Sequence, residues 1–236
     1  GRINTPDRKI WTAEDPVEIT QLGLQQVQID HKIGFTFATA LRSFLRADPD
    51  VILIGEMRDK ETAHSGIEAS LTGHLVFSTL HTNSAAETII RLLDLGLDPL
   101  NFADALLGIL AQRLVRTLCG DCKQAYKPDD AEWNRLVRLY GEAYFPELGL
   151  SQASTVLYRP GGCGKCGKTG YKGRVGVHEL LVATKTMKQC IVGGAKAEEM
   201  RTLAVQEGMR TLIQDGVAKV LAGKIDLSQL FRVATE

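Results

Sequence analysis

The sequence predicts an α/β fold built on a parallel sheet, and three observations carry that expectation. The first is Asp50-Val-Ile-Leu-Ile-Gly-Glu-Met-Arg-Asp59, a near-continuous apolar run followed by a glycine and then Glu56, Arg58 and Asp59. A short apolar run bounded by turn residues suits a strand buried on both faces, as in a parallel sheet. The second is a similar run, His74-Leu-Val-Phe-Ser-Thr-Leu-His81, with a histidine at each end. The third is the helical segment from Lys60 to Leu71 that separates the two runs and stops at Gly73. Strand, helix and strand in that order form a parallel crossover unit.

The chain opens with a short strand, Ile10-Trp-Thr-Ala13, stopped by Pro16 within the acidic stretch Glu14-Asp-Pro-Val-Glu18. That stretch reads either as a solvated loop or as an acid held at the sheet's carboxyl edge to orient a water. A polar, Gln-rich connector is expected from Gln21 to Gln28. A helix then follows with Thr36 as N-cap and Phe37, Leu41, Phe44 and Leu45 as its apolar stripe. Arg42 and Arg46 are four apart and share a face beside that stripe, as surface arginines or as a phosphate or subunit contact.

Parallel sheets place their chemistry just past the carboxyl ends of the strands. Glu56 falls there, where an acid can hold the metal of a nucleotide, the Walker B task. A plainer reading makes Asp59 the N-cap of the helix from Lys60. His81, with Thr79 and Thr82, is expected at the same edge as Glu56, and His74 at the opposite end of its strand.

Ser84-Ala-Ala-Glu87 has the form of a capping box, and its helix ends near Gly96. Asp98-Pro99 is read as opening a longer helix with Leu100, Ala103, Leu107, Leu110 and Leu114 on one face, continuing through Arg116 to the first cysteine pair. Late in the chain a strand over 175–182 leads into helical segments beginning near Thr186, Ala197, Met209 and Asp226.

Cys119-Gly-Asp-Cys122 and Cys163-Gly-Lys-Cys166 form two Cys-x-x-Cys pairs. Four thiolates suit a closed, tetrahedral, structural Zn²⁺ site, and two pairs are a stronger signal than one. A redox dithiol or four ordinary cysteines are the alternatives. The inner glycines are expected to let each knuckle turn so that backbone amides face the sulfurs. Between the pairs runs an amphipathic helix with Trp133, Leu136, Val137 and Tyr140, capped by Asp129 and Glu132. Cys190 is read as core.

One segment is a decoy. Gly162-Cys-Gly-Lys-Cys-Gly-Lys-Thr169 matches the P-loop pattern, but Gly170, Tyr171 and Gly173 follow where a P-loop opens a helix.

Among the 236 residues, 28 Lys and Arg balance 28 Asp and Glu. Zero net charge gives no electrostatic footprint for nucleic acid or an anionic membrane. No apolar run approaches the ~20 residues of a membrane span. The start, Gly1-Arg-Ile-Asn-Thr, has neither an apolar signal region nor an initiator Met, so the sequence reads as part of a longer protein.

Together these motifs resemble the C-terminal region of the motor ATPases of bacterial type II secretion and type IV pilus assembly. Glu14 to Glu18 looks like their aspartate box, Leu41 to Asp59 like their atypical Walker B region, and Thr72 to Asn83 like their histidine box. Gln112 to Cys119 with the second cysteine pair looks like the tetracysteine zinc subdomain of the secretion and pilus-extension members. Gly208-Met-Arg-Thr-Leu-Ile-Gln-Asp-Gly216 is similar to their C-terminal helices.

The resemblance implies a partial RecA-like P-loop NTPase core over 1–117, a zinc-binding subdomain over 118–172, and a mostly helical C-terminal subdomain over 173–236. It implies that Glu18 activates the attacking water, Glu56 holds Mg²⁺ through water, and His81, with His74, contacts the γ-phosphate region of ATP. Glu14, Asp15, Arg42, Arg46, Arg58 and Arg174 would complete the nucleotide site and its electrostatics.

The family's Walker A loop lies upstream of the aspartate box, so the chain alone is expected to be inactive. Also implied are a homohexamer, inner-membrane platform and cytoplasmic adaptor partners, and a cytoplasmic location that meets the membrane only through those partners. The competing reading is a non-catalytic, zinc-stapled interaction module docking on platform proteins. A nucleic-acid-handling relative is a third, disfavoured by the charge.

Overall fold

The computed structural model describes residues 2–234. They divide into two compact units. The first takes the chain up to Thr82, with Ala86–Gly108 and Val182–Thr202; the second takes Asn83–Ala85, Ile109–Leu181 and the chain from Leu203 onward.

The first unit is organised by a four-stranded parallel sheet. Its strands are β1 (Ile10–Glu14), β2 (Leu24–Gln28), β3 (Val51–Ile54) and β4 (Leu75–Ser78), in spatial order β2-β1-β3-β4. Helix α1 (Phe37–Phe44) precedes β3, and α2 (Lys60–Leu71) links β3 to β4. The register pairs Trp11 with Ile52 and Ala13 with Ile54, so these four side chains share one face. That face carries the helices: the Trp11 and Phe44 rings lie 5.0 Å apart. Leu41, Ile52, Ile54 and Ala63 are fully buried there. Ile10, Thr12, Val51 and Leu53 point to the opposite face.

Thr36 and Thr39 form a reciprocal capping box at the start of α1. Asp59 caps α2 by accepting from the Thr62 N–H. The unit is completed by α3 (Ala85–Asp94) from Ala86 onward, α4 (Pro99–Ala105) and α6 (Lys185–Val192). α4 packs on α2 and α6. Lys188 Nζ donates to the Asp104 carbonyl, and Ala183 N–H to that of Leu107. Cys190 is half-buried on α6.

The second unit contains β5 (Gly108–Leu118), β6 (Gln124–Tyr126), α5 (Asp130–Tyr140), β7 (Leu157–Arg159) and β8 (Tyr171–Val182). The helix α7 (Ala197–Gln206) runs from the first unit into the second, followed by α8 (Leu212–Leu221) and α9 (Leu227–Ala234). β5 pairs with β8, and β6 is antiparallel to β7. Leu136, Leu157, Val177, Val217 and Leu230 form the core, with the Trp133 and Tyr140 rings set edge-on to Phe145.

Two expectations need correction. The stretch 24–28 is a paired strand, because its backbone is taken up by β1 despite its polar side chains. The long helix after Pro99 ends at Ala105, and residues 108–118 form a strand. Leu110 and Leu114, spaced as a helical stripe, are 59 % and 55 % exposed, while Val115 and Leu118 are buried. The partner that makes this stretch a strand, β8, lies far along the chain, so tertiary pairing overrides a helix-favouring composition.

Candidate nucleotide and metal sites

The uncovered face of the sheet and its carboxyl edge bound a cleft of about 660 Å³. Its wall carries Thr12, Glu14 and Gln26 from the strands, Asp15 and Glu18 from the loop after β1, and Glu56, Arg58, Thr79 and His81 from the loops after β3 and β4. Asp15, Glu18 and Glu56 arrive by the same local rule: a strand ends and its next residues enter the edge, whereas Glu14 is the last residue of β1 itself. There is little room for a side chain at Gly55, where an added Cβ would lie 3.1 Å from the Ala13 carbonyl oxygen and 3.3 Å from the Phe37 ring.

The Glu56 side chain is 14 % exposed. Its Oε2 lies 2.5 Å from Arg58 Nε and 3.6 Å from His81 Nε2. The loops carrying Glu56 and His81 are tied together: Thr79 Oγ1 donates to the Gly55 carbonyl at 2.5 Å, and Met57 N–H to that of Thr79. Glu14 Oε1 accepts from Thr12 Oγ1 at 2.5 Å and from Gln26 Nε2 at 2.9 Å. Asp15 lies 3.2 Å from His31 Nε2, while Glu18 is exposed. The arrangement offers one paired carboxylate beside an imidazole, with three further acids, Glu14, Asp15 and Glu18, lining the same cleft.

Other residues singled out in the sequence lie elsewhere. His74 is at the amino end of β4, its Nδ1 3.0 Å from the Ala69 carbonyl oxygen. Arg42 pairs with Glu61 at 2.6 Å on the surface, a contact of about 0–1 kcal/mol. Arg46 lies just past the end of α1 and does not share its helical face. Arg174 is exposed on β8, in the second unit. The supports of Glu14 were not singled out in the sequence, although Thr12 sits two residues before it on the same strand face.

In the second unit Cys119, Cys122, Cys163 and Cys166 bring their sulfurs within 4.8 Å of one another. Cys119 to Cys163 is 4.0 Å, and Cys122 to Cys166 and Cys163 to Cys166 are 3.8 Å. Four thiolates around a metal at about 2.3 Å make a tetrahedron with edges of about 3.8 Å, so the four could hold a metal ion. Backbone N–H groups already face the sulfurs: Gly162 donates to Cys122, and Cys163 and Gly170 donate to Cys166, each at 3.2 Å. The amides of Cys163 and Gly170 hold the Cys166 thiol down at about 6, whereas burial pushes Cys122 up to about 11.

The glycines that matter are not those inside the pairs. Gly120 and Gly164 have open space around them, whereas a Cβ on Gly161 would meet the Cys122 carbonyl oxygen at 2.1 Å. The P-loop-like segment wraps this cluster. It forms a 3₁₀ turn at Gly164–Cys166 and then β8, with no helix to receive a phosphate.

An open parallel sheet whose carboxyl edge gathers acids and an imidazole, joined in one chain to a four-cysteine cluster, defines the class. The chain belongs to the Type II/IV secretion system protein family, whose sequence model matches residues 1–232. It is 47 % identical over 232 residues to the type IV pilus assembly ATPase PilB of Thermus thermophilus, covering 97 % of the chain and 25 % of that protein. It is 45 % identical over 236 residues to the type II secretion system protein E of Dickeya dadantii, covering all of the chain and 45 % of that protein. The chain thus spans less than half the length of these relatives.

Among solved structures, the pilus retraction motor PilT with bound ADP matches with a TM-score of 0.64 and 26 % identity, over 97 % of the chain and 53 % of PilT. The DotB ATPase of Legionella pneumophila matches at a TM-score of 0.63 over 98 % of the chain and 53 % of DotB; at 23 % identity this likeness is one of fold. No helix among the described residues is long and apolar enough to cross a membrane.

Proposed function

We propose that the chain is the C-terminal part of a hexameric ATPase that powers type II protein secretion or type IV pilus assembly. The observation that carries this reading is the gathering of Glu56, Arg58 and His81 at the sheet's carboxyl edge, opposite the acids after β1 and around one cleft. Glu56 would hold Mg²⁺ through water, and the metal would neutralise charge on the phosphates of ATP. Glu18, exposed across the opening, would orient and deprotonate the attacking water. Glu14, held by Thr12 and Gln26, would shape the water's site, with Asp15 beside it. His81 would donate toward the terminal phosphate. Its Nε2 lies 3.6 Å from Glu56 and its side chain is 85 % exposed.

The phosphate-cradling Walker A loop would come from the part of the protein beyond this chain, since Gly162–Thr169 is committed to the cysteine cluster. Arg42, Arg46 and Arg174 would serve contacts between subunits, and His74 would shape the turn before β4. The four cysteines would bind structural Zn²⁺. Membrane association would be indirect, through inner-membrane platform and cytoplasmic adaptor proteins.

Glu56→Gln in the full-length protein should abolish ATP turnover, since the metal would lose its carboxylate anchor. Turnover at the wild-type rate would overturn the reading. Titrating the zinc-loaded chain with Mg²⁺ and a non-hydrolysable ATP analogue separates the chain's own share of nucleotide binding from that of the full-length protein. Absence of binding is expected, and binding that Lys168→Ala removes would make Gly162–Thr169 a phosphate loop after all.

A further inference from the structure

Glu18 stands on the loop between β1 and β2 and is exposed. The residues on either side of it are held by two glutamines of β2. Gln28 Oε1 accepts the Val17 N–H at 3.3 Å. Gln26 Nε2 donates to the Ile19 carbonyl at 3.1 Å. Gln26 also reaches further along the loop, where its Oε1 accepts the Gln21 N–H at 2.6 Å. It reaches back to β1 as well, where Nε2 donates to Glu14 Oε1 at 2.9 Å.

A carboxamide offers two N–H donors at one end and an acceptor oxygen at the other. The partners of Gln26 fix which end is which, since a backbone N–H only donates and a carbonyl only accepts. Both donors and the oxygen are thereby used, and a glutamate of the same length would lack the donors. Gln26 and Gln28 are two apart on one strand, so their side chains leave the same face and both meet the loop there. β2 is the outer strand of the sheet, and these side-chain amides serve backbone groups of the loop. The far end of the loop has ties of its own. Asn4 Nδ2 donates to the Leu22 carbonyl at 2.9 Å, and Leu24 N–H to that of Gln21. Loss of one glutamine therefore shifts the segment around Glu18 and leaves the loop attached.

We propose that Gln26 and Gln28 are positioning residues for Glu18: they set the backbone from which its carboxylate reaches the attacking water. The proposal rests on the reading of Glu18 as the general base. Such a base must come within hydrogen-bond reach of the proton it takes. In the full-length protein Gln26→Ala should lower kcat for ATP by about 10-fold, because a shift of about 1 Å is enough to cost that much. KM should stay unchanged, since the base acts in the transition state and not in nucleotide binding. Gln28→Ala removes one bond and should lower kcat less. Gln26→Glu, which sets a second carboxylate against Glu14, should lower kcat at least as much as Gln26→Ala.

On a Glu18→Gln background, Gln26→Ala should cost nothing further. Amide hydrogen exchange should quicken at Gln21 in Gln26→Ala and at Val17 in Gln28→Ala, while that of β3 stays unchanged. A wild-type kcat in Gln26→Ala or Gln26→Glu, or unchanged exchange at both amides, would overturn the proposal. So would a loss that persists on the Glu18→Gln background, which would mean that Gln26 acts through Glu14 instead. Should Gln26→Ala fail to fold, Gln28→Ala, at an exposed position, is judged by the same criteria. Failure of the ATPase reading would show separately, as a wild-type protein without turnover or a Glu18→Gln variant without loss. The exchange measurement would still judge whether the two glutamines hold the loop.

Discussion

In the cysteine cluster, four sulfurs from two short knuckles meet within 4.8 Å, with amides already aimed at two of them. In the cleft, the acids and the histidine come from three strand ends, and His81 is 85 % exposed. The first site has its four sulfurs already gathered at metal-ligand spacing. The second holds Glu14 and Glu56 in place and leaves Glu18 and His81 to be fixed by what binds. The contrast fits the two tasks proposed, a permanent staple and a site that opens and closes with each turnover.

The largest test of this contrast is to remove the staple. Chelation, or Cys166→Ser, should abolish cooperative thermal unfolding of the second unit, because metal binding to such a site contributes on the order of 10 kcal/mol to folding. A melting curve indifferent to chelator would make the cluster a set of ordinary thiols and erase the contrast. The next test lies within the cleft. In the full-length protein, Glu18→Gln should lower kcat by about 10²–10⁴-fold, as expected of a general base, and Glu14→Gln by less. Glu14 already spends one oxygen on Thr12 and Gln26. If Glu14→Gln proves the more damaging, the held acid is the base and the exposed one its support.

The smallest effect concerns the pre-organised side alone. Burial, with Glu132 next to it, pushes the Tyr126 phenol up to about 12, and its hydroxyl donates to Glu132 Oε1 at 3.1 Å. A raised pKa means that the neutral phenol stabilises the fold. That contribution is complete below the ordinary phenol value near 10 and is lost as pH rises through about 12. Tyr126→Phe should flatten the loss of stability over that window and cost about 1 kcal/mol at neutral pH. Phenolate absorbance titration and denaturant melts check the two halves. A Tyr126 that titrates near 10 would show this part of the unit to be as open as the cleft.

Much of both sites was legible in the sequence because the relevant signals are short-range. The apolar run at 51–54 with Glu56 beyond it, Thr36 and Asp59 as caps, and two Cys-x-x-Cys pairs are each specified by neighbours within a few residues. Resemblance to a known family then joined them. The reading faltered where a residue's role depends on a distant partner. Leu107, Leu110 and Leu114 carry a helical spacing, yet β8 draws that stretch into a strand. The glutamines of residues 24–28 look like a linker, yet β1 gives that backbone a ladder. Glu179 attracts no notice within Val-His-Glu-Leu-Leu, because nothing near it in sequence reveals that two helix amides will arrive from Ala85 and Leu212.

By itself, then, the sequence determined the parallel strands flanking α2, the edge on which Glu56 and His81 fall, and which four cysteines gather. These follow from periodicity, capping and fixed spacing, which act over a turn of helix or a few strand residues. Only the tertiary structure decided the strand identity of 24–28 and 108–118, the support of Glu14 by Gln26, and the two-helix cap at Glu179. Each of those depends on hydrogen-bond partners supplied by chain remote in sequence, and an unpaired buried amide or carboxylate is costly enough to enforce the pairing once the fold brings them together.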